Sequence, residues 1–306
     1  MGNPLSPLNC PACGRLLQPL PGAQEAPHCF EDCLRRCDSC GIGFSNGRDR
    51  CTTIFREPEH NIPTEARAGC LDTLNNALNI PNRPRKVFRF GFQTSEDALT
   101  WTVFTYLART GQLGEVFHAL GVLKVIAPSA TLLLWGEPFP LESERGRSIR
   151  RLLITICDHL GENSQSRSEP DVILDFGPAG LVVIEVKYLS ENDKKPYGSR
   201  YDKYVQGTDC FRDAESIGRS ELYELTRNWR IGCQLAEGRP FTLVNLITGS
   251  KEPSCSRVFR EGLNTTPTRQ FLTRSWPQLT SATSMTEWIL KYLRGHPKTL
   301  AVDQLT

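Results

Sequence analysis

Apolar and polar positions change period several times along this chain, and each change marks an element. Lys86-Val87-Phe88-Arg89-Phe90-Gly91-Phe92 alternates and predicts a strand. Thr94 or Ser95 then offers a cap for a helix from about Glu96 to Arg109, with Leu99, Val103, Phe104 and Leu107 on its buried side. Residues 132–135 read as a short strand, and 144–160 as a helix with Ile149, Leu152, Leu153 and Ile156 inside. Two β-branched runs, 172–176 and 181–189, flank Gly177-Pro178-Ala179-Gly180 and predict a hairpin. Residues 220–236 form a second long helix with Leu222, Leu225, Trp229 and Cys233 as its core stripe, flanked by Arg227 and Arg230. Phe241–Ile247 is a strand that extends the same sheet, and 286–294 a short helix carrying Trp288, Ile289 and Leu293.

Before residue 86 the pattern breaks up. Residues 57–85 hold four prolines and one short helical stretch, 64–78, and read as a linker. Ahead of it, Cys10-Pro11-Ala12-Cys13-Gly14 and Cys37-Asp38-Ser39-Cys40-Gly41 repeat one shape, Cys-x-x-Cys-Gly, with 23 residues between them. Each glycine permits the tight turn that aims amides at thiolates, so Cys10, Cys13, Cys37 and Cys40 form a tetrahedral Zn²⁺ set of zinc-ribbon type. Cys29 and Cys33 are either a second ligand pair or core thiols. A helix over 30–36 would align them with Cys37, packing is the favoured reading, and Cys51 stays unassigned. So small a head lacks a sufficient core, and the metal supplies its stability. The expected layout is a Cys-rich domain over 1–55, a linker over 56–85 and a main domain over 86–300.

Composition adds limits. The chain has 306 residues, 39% hydrophobic and 23% charged, as an ordinary globular protein does. A net charge of +2 does not argue for nucleic acid, so any such surface must be local. With no leader-like N-terminus and no apolar run of spanning length, a cytoplasmic protein is expected. There, 12 cysteines serve as metal ligands and core residues rather than disulfides.

The chemistry concentrates at the open end of the hairpin. A turn centred on Pro178-Ala179 sets Asp171 opposite about Val186, beside Glu185 and Lys187. Those two share a face because they lie two apart on one strand. Two carboxylates and an ammonium inside a sheet are costly unless compensated, and a divalent cation compensates them. Pro170, Asp171, Glu185 and Lys187 in this hairpin resemble the PD-(D/E)xK nuclease superfamily. The resemblance implies an α/β, restriction endonuclease-like mixed sheet flanked by helices, with which the order helix, helix, hairpin agrees. It implies Mg²⁺ or Mn²⁺ on Asp171, Glu185 and the Val186 carbonyl, with Lys187 orienting the attacking water and offsetting phosphoryl charge. A first-helix glutamate often joins that site, and Glu96 is the matching position; its other reading is a partner of the helix dipole.

The implied activity is DNA endonuclease, in a restriction or anti-phage role, on double-stranded DNA, as a homodimer or with a partner defence protein. RecB-like exonucleases carry a glutamine with a tyrosine four residues later; Tyr201, Tyr204 and Gln206 do not follow that order, which favours an endonuclease. Lys194, Lys195, Tyr197, Arg200 and Tyr204 interleave bases with aromatics and suit a backbone grip or base stacking, or else form a solvated loop running into a helix. The competing readings are an RNA-directed nuclease, and a zinc-ribbon nucleic-acid- or protein-binding module on an inactive nuclease scaffold.

Overall fold

The computed structural model describes residues 5–48, 51–67, 71–78, 84–164, 167–192, 194–249 and 251–300. They fall into two compact units, Met1–Thr102 and Val103–Thr306. Among the described residues no helix is long and apolar enough to cross a membrane.

In the first unit, β1 (Leu8–Asn9) pairs antiparallel with β2 (Leu16–Leu17). β3 (Arg35–Cys37), β4 (Ile42–Phe44) and β5 (Thr53–Phe55) form an antiparallel sheet. The helix expected over 30–36 is absent. Phe30–Asp32 makes one 3₁₀ turn and the chain then extends into β3. The backbone groups a helix would use are claimed from outside. The Asn46 amide takes Leu34 N at 3.0 Å and Asp32 O at 3.1 Å, and Leu20 N takes Leu34 O at 2.7 Å.

The segment 56–85, read as a linker, belongs to this unit and carries structure. It holds α1 (Thr64–Arg67) and α2 (Leu71–Leu78), and α3 (Pro84–Phe90) begins at its end. α3 replaces the expected strand over 86–92. Pro84 suits a first helical turn, and Val87 and Phe90 are three apart, a spacing that serves one helical face as well as it mimics alternation. Asn61 Nδ2 closes α3 by donating to the carbonyls of Phe90 (2.8 Å) and Phe92 (2.7 Å). α4 (Glu96–Arg109) is the expected helix, with Ser95 Oγ accepting from Ala98 N and with Leu99, Val103, Phe104 and Leu107 buried.

The second unit is mixed α/β. After α5 (Leu113–Ala119) come β6 (Thr131–Leu134), β7 (Glu137–Phe139), α6 (Glu144–His159), β8 (Val172–Asp175) and β9 (Leu181–Val186). α7 (Ser199–Val205), α8 (Ala214–Ser220) and α9 (Tyr223–Leu235) lead to β10 (Phe241–Ile247). α10 (Ser254–Gly262), β11 (Arg269–Ser275), α11 (Trp276–Ser281) and α12 (Glu287–Arg294) complete it.

Six strands form one sheet in the order β11-β10-β9-β8-β6-β7. β11, β10 and β9 run parallel, and the remaining pairings are antiparallel. Every residue of β8, β9 and β10 is buried, which explains their continuous apolar runs. Leu181, Val183, Phe241, Leu243 and Ile173 share one core with Ile149 and Leu153 of α6 and Leu225 and Trp229 of α9. α9 can lie this close to β10 because Gly232 has no side chain. A Cβ there would stand 2.1 Å from the Phe241 ring.

Candidate metal centres and active site

The sulfurs of Cys10, Cys13, Cys37 and Cys40 all lie within 4.8 Å of one another. Each knuckle closes on a glycine in the left-handed region, Gly14 at φ +72° and Gly41 at φ +64°, where any other residue would be strained. Cys13 Sγ stands 3.8 Å from Cys37 Sγ. That is the edge of a tetrahedron with metal–sulfur bonds of about 2.3 Å. The four thiols can therefore hold a structural metal such as zinc. The Ser39 hydroxyl, 3.2 Å from Cys37 Sγ, pulls that thiol down to about 6, while hydrogen bonds with Cys13 and Cys37 push Cys40 up to about 12.

Of the other head cysteines, Cys33 packs into the core. Cys33 is fully buried, burial pushes its thiol up to about 12, and it bonds to the Cys29 carbonyl. Cys51 Sγ accepts from Arg35 Nη2 at 3.3 Å and donates to Gly47 O.

At the hairpin, Val172 faces Ile184, which continued by one residue sets Asp171 against Glu185 rather than Val186. The 3₁₀ turn Gly177–Ala179 centres the hairpin on Pro178, half a residue earlier than the sequence reading. The correction tightens the cluster, since directly opposed residues share a face. Asp171 is pinned on both sides. Its carbonyl accepts from Trp135 N at 3.1 Å, and its Oδ2 from Val186 N at 2.9 Å.

Lys187 follows at the end of β9. Its backbone N–H donates to Leu246 O (2.8 Å) and its carbonyl accepts from Trp276 Nε1 (3.1 Å). Its ammonium lies 2.7 Å from Glu185 Oε1 and 3.1 Å from Glu224 Oε2. The second oxygen of Glu185 accepts from Asn228 Nδ2 at 2.8 Å. Burial, then repulsion from Asp171 and Glu224, pushes the Glu185 carboxyl up to about 8 against the pull of Lys187. Burial works against the Lys187 charge, but Glu185, Glu224 and Asp171 outweigh it and hold the ammonium protonated. Burial likewise opposes the Glu224 charge, and Lys187 and Arg227 overcome it.

Glu224 and Asn228 escaped the sequence reading. They lie four apart on α9, among Leu225 and Trp229, and an acid and an amide on the inward side of an apolar stripe are the signal that was there to use. A second buried carboxylate was also missed. Glu162 accepts from Ser168 N (2.6 Å), Ser168 Oγ (2.5 Å) and Tyr204 OH (2.7 Å).

That contact corrects one expectation. Tyr204 is buried in the core and offers no face to a base, because it shares the inward side of α7 with Tyr201. Lys194, Tyr197 and Arg200 are exposed and Lys195 is half-buried. The loop that carries Lys194, Lys195 and Tyr197 is fastened to the start of α9. Lys194 bridges to Leu222, Lys195 N donates to Glu221 O at 2.9 Å, and the Lys195 ammonium lies over the Tyr223 ring. The Tyr197 ring lies tilted against that of Tyr201 with ring centroids 4.8 Å apart. Glu96 opens α4 in the first unit, and the acid set described in the second is Asp171, Glu185 and Glu224.

Compared with known proteins, the chain matches no family model, no curated protein and no solved structure.

Proposed function

We propose that the chain is a metal-dependent endonuclease of the PD-(D/E)xK type that hydrolyses phosphodiester bonds in DNA, with a zinc-bearing head. The observation that carries this reading is the meeting of Asp171, Glu185 and Lys187 at one end of a buried hairpin. An apolar core gives no reason to hold three carboxylates around one ammonium, since hydrophobic replacements pack at no loss. A sheet in which three antiparallel strands lead through helices to a parallel fourth supports a restriction endonuclease-like architecture.

The donors suit Mg²⁺ or Mn²⁺. They are hard carboxylate oxygens, and Glu185 is buried beside two further acids whose repulsion a cation would relieve. Asp171 and Glu185, with the Val186 carbonyl, would hold the ion, which when bound lowers the pKa of water and polarises a phosphoryl oxygen. The protein does the rest. Lys187, kept charged by its acidic neighbours, offsets charge developing on the phosphoryl group rather than serving as a general base. Lys194, Lys195 and Arg200 supply phosphate contacts, and Tyr197 an exposed ring.

The test is cleavage of supercoiled plasmid by zinc-loaded protein with Mg²⁺, with Mn²⁺ and with neither, beside Lys187→Ala. Metal-dependent nicking that falls about 100-fold or more in the variant is the expected result. Full activity of a folded Lys187→Ala would refute the assignment of the site. Cleavage of RNA but not DNA would move the substrate.

A further inference from the structure

We infer that Glu224 and Asn228 of α9 are positioning residues of this centre. In this arrangement Asn228 fixes the Glu185 carboxylate, and Glu224 is the second anchor that keeps Lys187 in place when Glu185 turns to a divalent cation. The inference rests on the nuclease reading above.

Both oxygens of Glu185 are engaged by protein donors, Oε1 by the Lys187 ammonium and Oε2 by the Asn228 amide. A cation that takes Oε1 displaces the ammonium, because an ammonium and a metal ion repel each other at one oxygen. Lys187 then needs another acceptor, or it leaves the site. Glu224 Oε2 already stands 3.1 Å from its nitrogen. The exchange therefore needs only a small turn of one side chain whose backbone is pinned by Leu246 and Trp276.

Asn228 adds an independent observation. It is fully buried, and its Oδ1 has no hydrogen-bond partner among the described residues. A buried amide oxygen left idle is costly for a structural residue and useful beside a centre that must take up new donors. Glu224 and Asn228 are one helical turn apart, so α9 presents the anchor and the clamp together. The basic loop bound to the start of α9 ends its contacts one residue before Glu224, at Tyr223, which ties the groups proposed to grip phosphate to those that set Lys187.

A double-mutant cycle separates this from through-space repulsion. Mn²⁺ binding to the zinc-loaded protein is followed by the electron paramagnetic resonance of free Mn²⁺, with Asp171→Ala defining the signal of this site. Glu224→Gln, Lys187→Met and the double variant are compared with the wild type. If Glu224 acts through Lys187, Glu224→Gln weakens binding about tenfold when Lys187 is present and less than about threefold when it is absent. Glu224→Asp, which keeps the charge, recovers most of the loss and also serves if the glutamine variant folds poorly. Equal weakening in both backgrounds, or none, overturns the positioning role and leaves the nuclease reading standing. Absence of any Asp171-dependent Mn²⁺ binding in the wild type sinks both.

Discussion

In the head, four sulfurs converge with little except one another and Ser39 to answer them. In the second unit, three carboxylates, Glu185 buried and Asp171 and Glu224 half-buried, converge around an ammonium and an amide at the margin of a packed core. The head around its sulfurs offers little apolar support, chiefly Leu17 and Ile42 with Phe44 and Phe55 against them. Of these carboxylates Glu185 sits on β9, a strand buried along its full length, Asp171 directly precedes the equally buried β8, and Glu224 stands on α9. The difference teaches which site depends on its metal for shape. Soft donors with a scanty core need an ion to fold, whereas hard donors already satisfied by protein groups keep their arrangement without one.

The largest effect expected from this contrast is on removing zinc. Structural zinc in comparable small modules contributes about 10–16 kcal/mol of apparent binding energy, more than so small a core can supply. Chelation, or Cys10→Ser, should abolish amide protection around β3 and β4 and leave β9 and β10 protected. Hydrogen exchange read by mass spectrometry checks this peptide by peptide. A head that stays protected without zinc would break the comparison.

How much was legible follows from the same contrast. The knuckles and the hairpin were readable because their partners lie close in sequence and their glycines and turn residues have few other uses. The register was misplaced by one residue because a turn centred on Pro178 cannot be told from one centred on Pro178-Ala179 by composition. Glu224 and Asn228 lie 37 and 43 residues from the groups they touch, so only tertiary packing brings them in. The helix Pro84–Phe90 was read as a strand because aromatic and β-branched residues lend themselves to both periods. β11 was missed because it buries only Phe271 and Ser275 and shows no alternation.

A smaller effect sharpens the carboxylate side. Asn228→Ala leaves Glu185 Oε2 buried without its donor. An unmade bond to a buried group costs about 1–3 kcal/mol. Urea unfolding at neutral pH without Mg²⁺ should show a loss in that range. A change under about 0.5 kcal/mol, the scatter of ordinary surface substitutions, would mean that the amide does not hold the carboxylate.

The smallest effect concerns cysteines that no metal unites. Cys210 is pulled down to about 6, first by a hydrogen bond from Cys233 and then by Thr208 and Arg230, against burial. Cys157 is pushed up to about 12 by burial and by Glu162. The signs differ. Cys210, an acid whose folded value lies below its ordinary 9.0, contributes stability that is full above 9 and disappears as pH falls through 6. Cys157 contributes stability that is full below 9 and disappears only as pH climbs toward 12. Between pH 6 and pH 9, the melting-temperature gap between wild type and Cys210→Ser should therefore widen, while the gap to Cys157→Ser stays flat. Scanning calorimetry in zinc-saturated, reducing buffer measures both gaps, and titrations common to all three proteins cancel. A Cys210→Ser gap that stays constant or narrows with rising pH would show that this thiol keeps its proton. Among the described residues, Cys37 of the head would then be the one thiol that the fold draws toward its charged form.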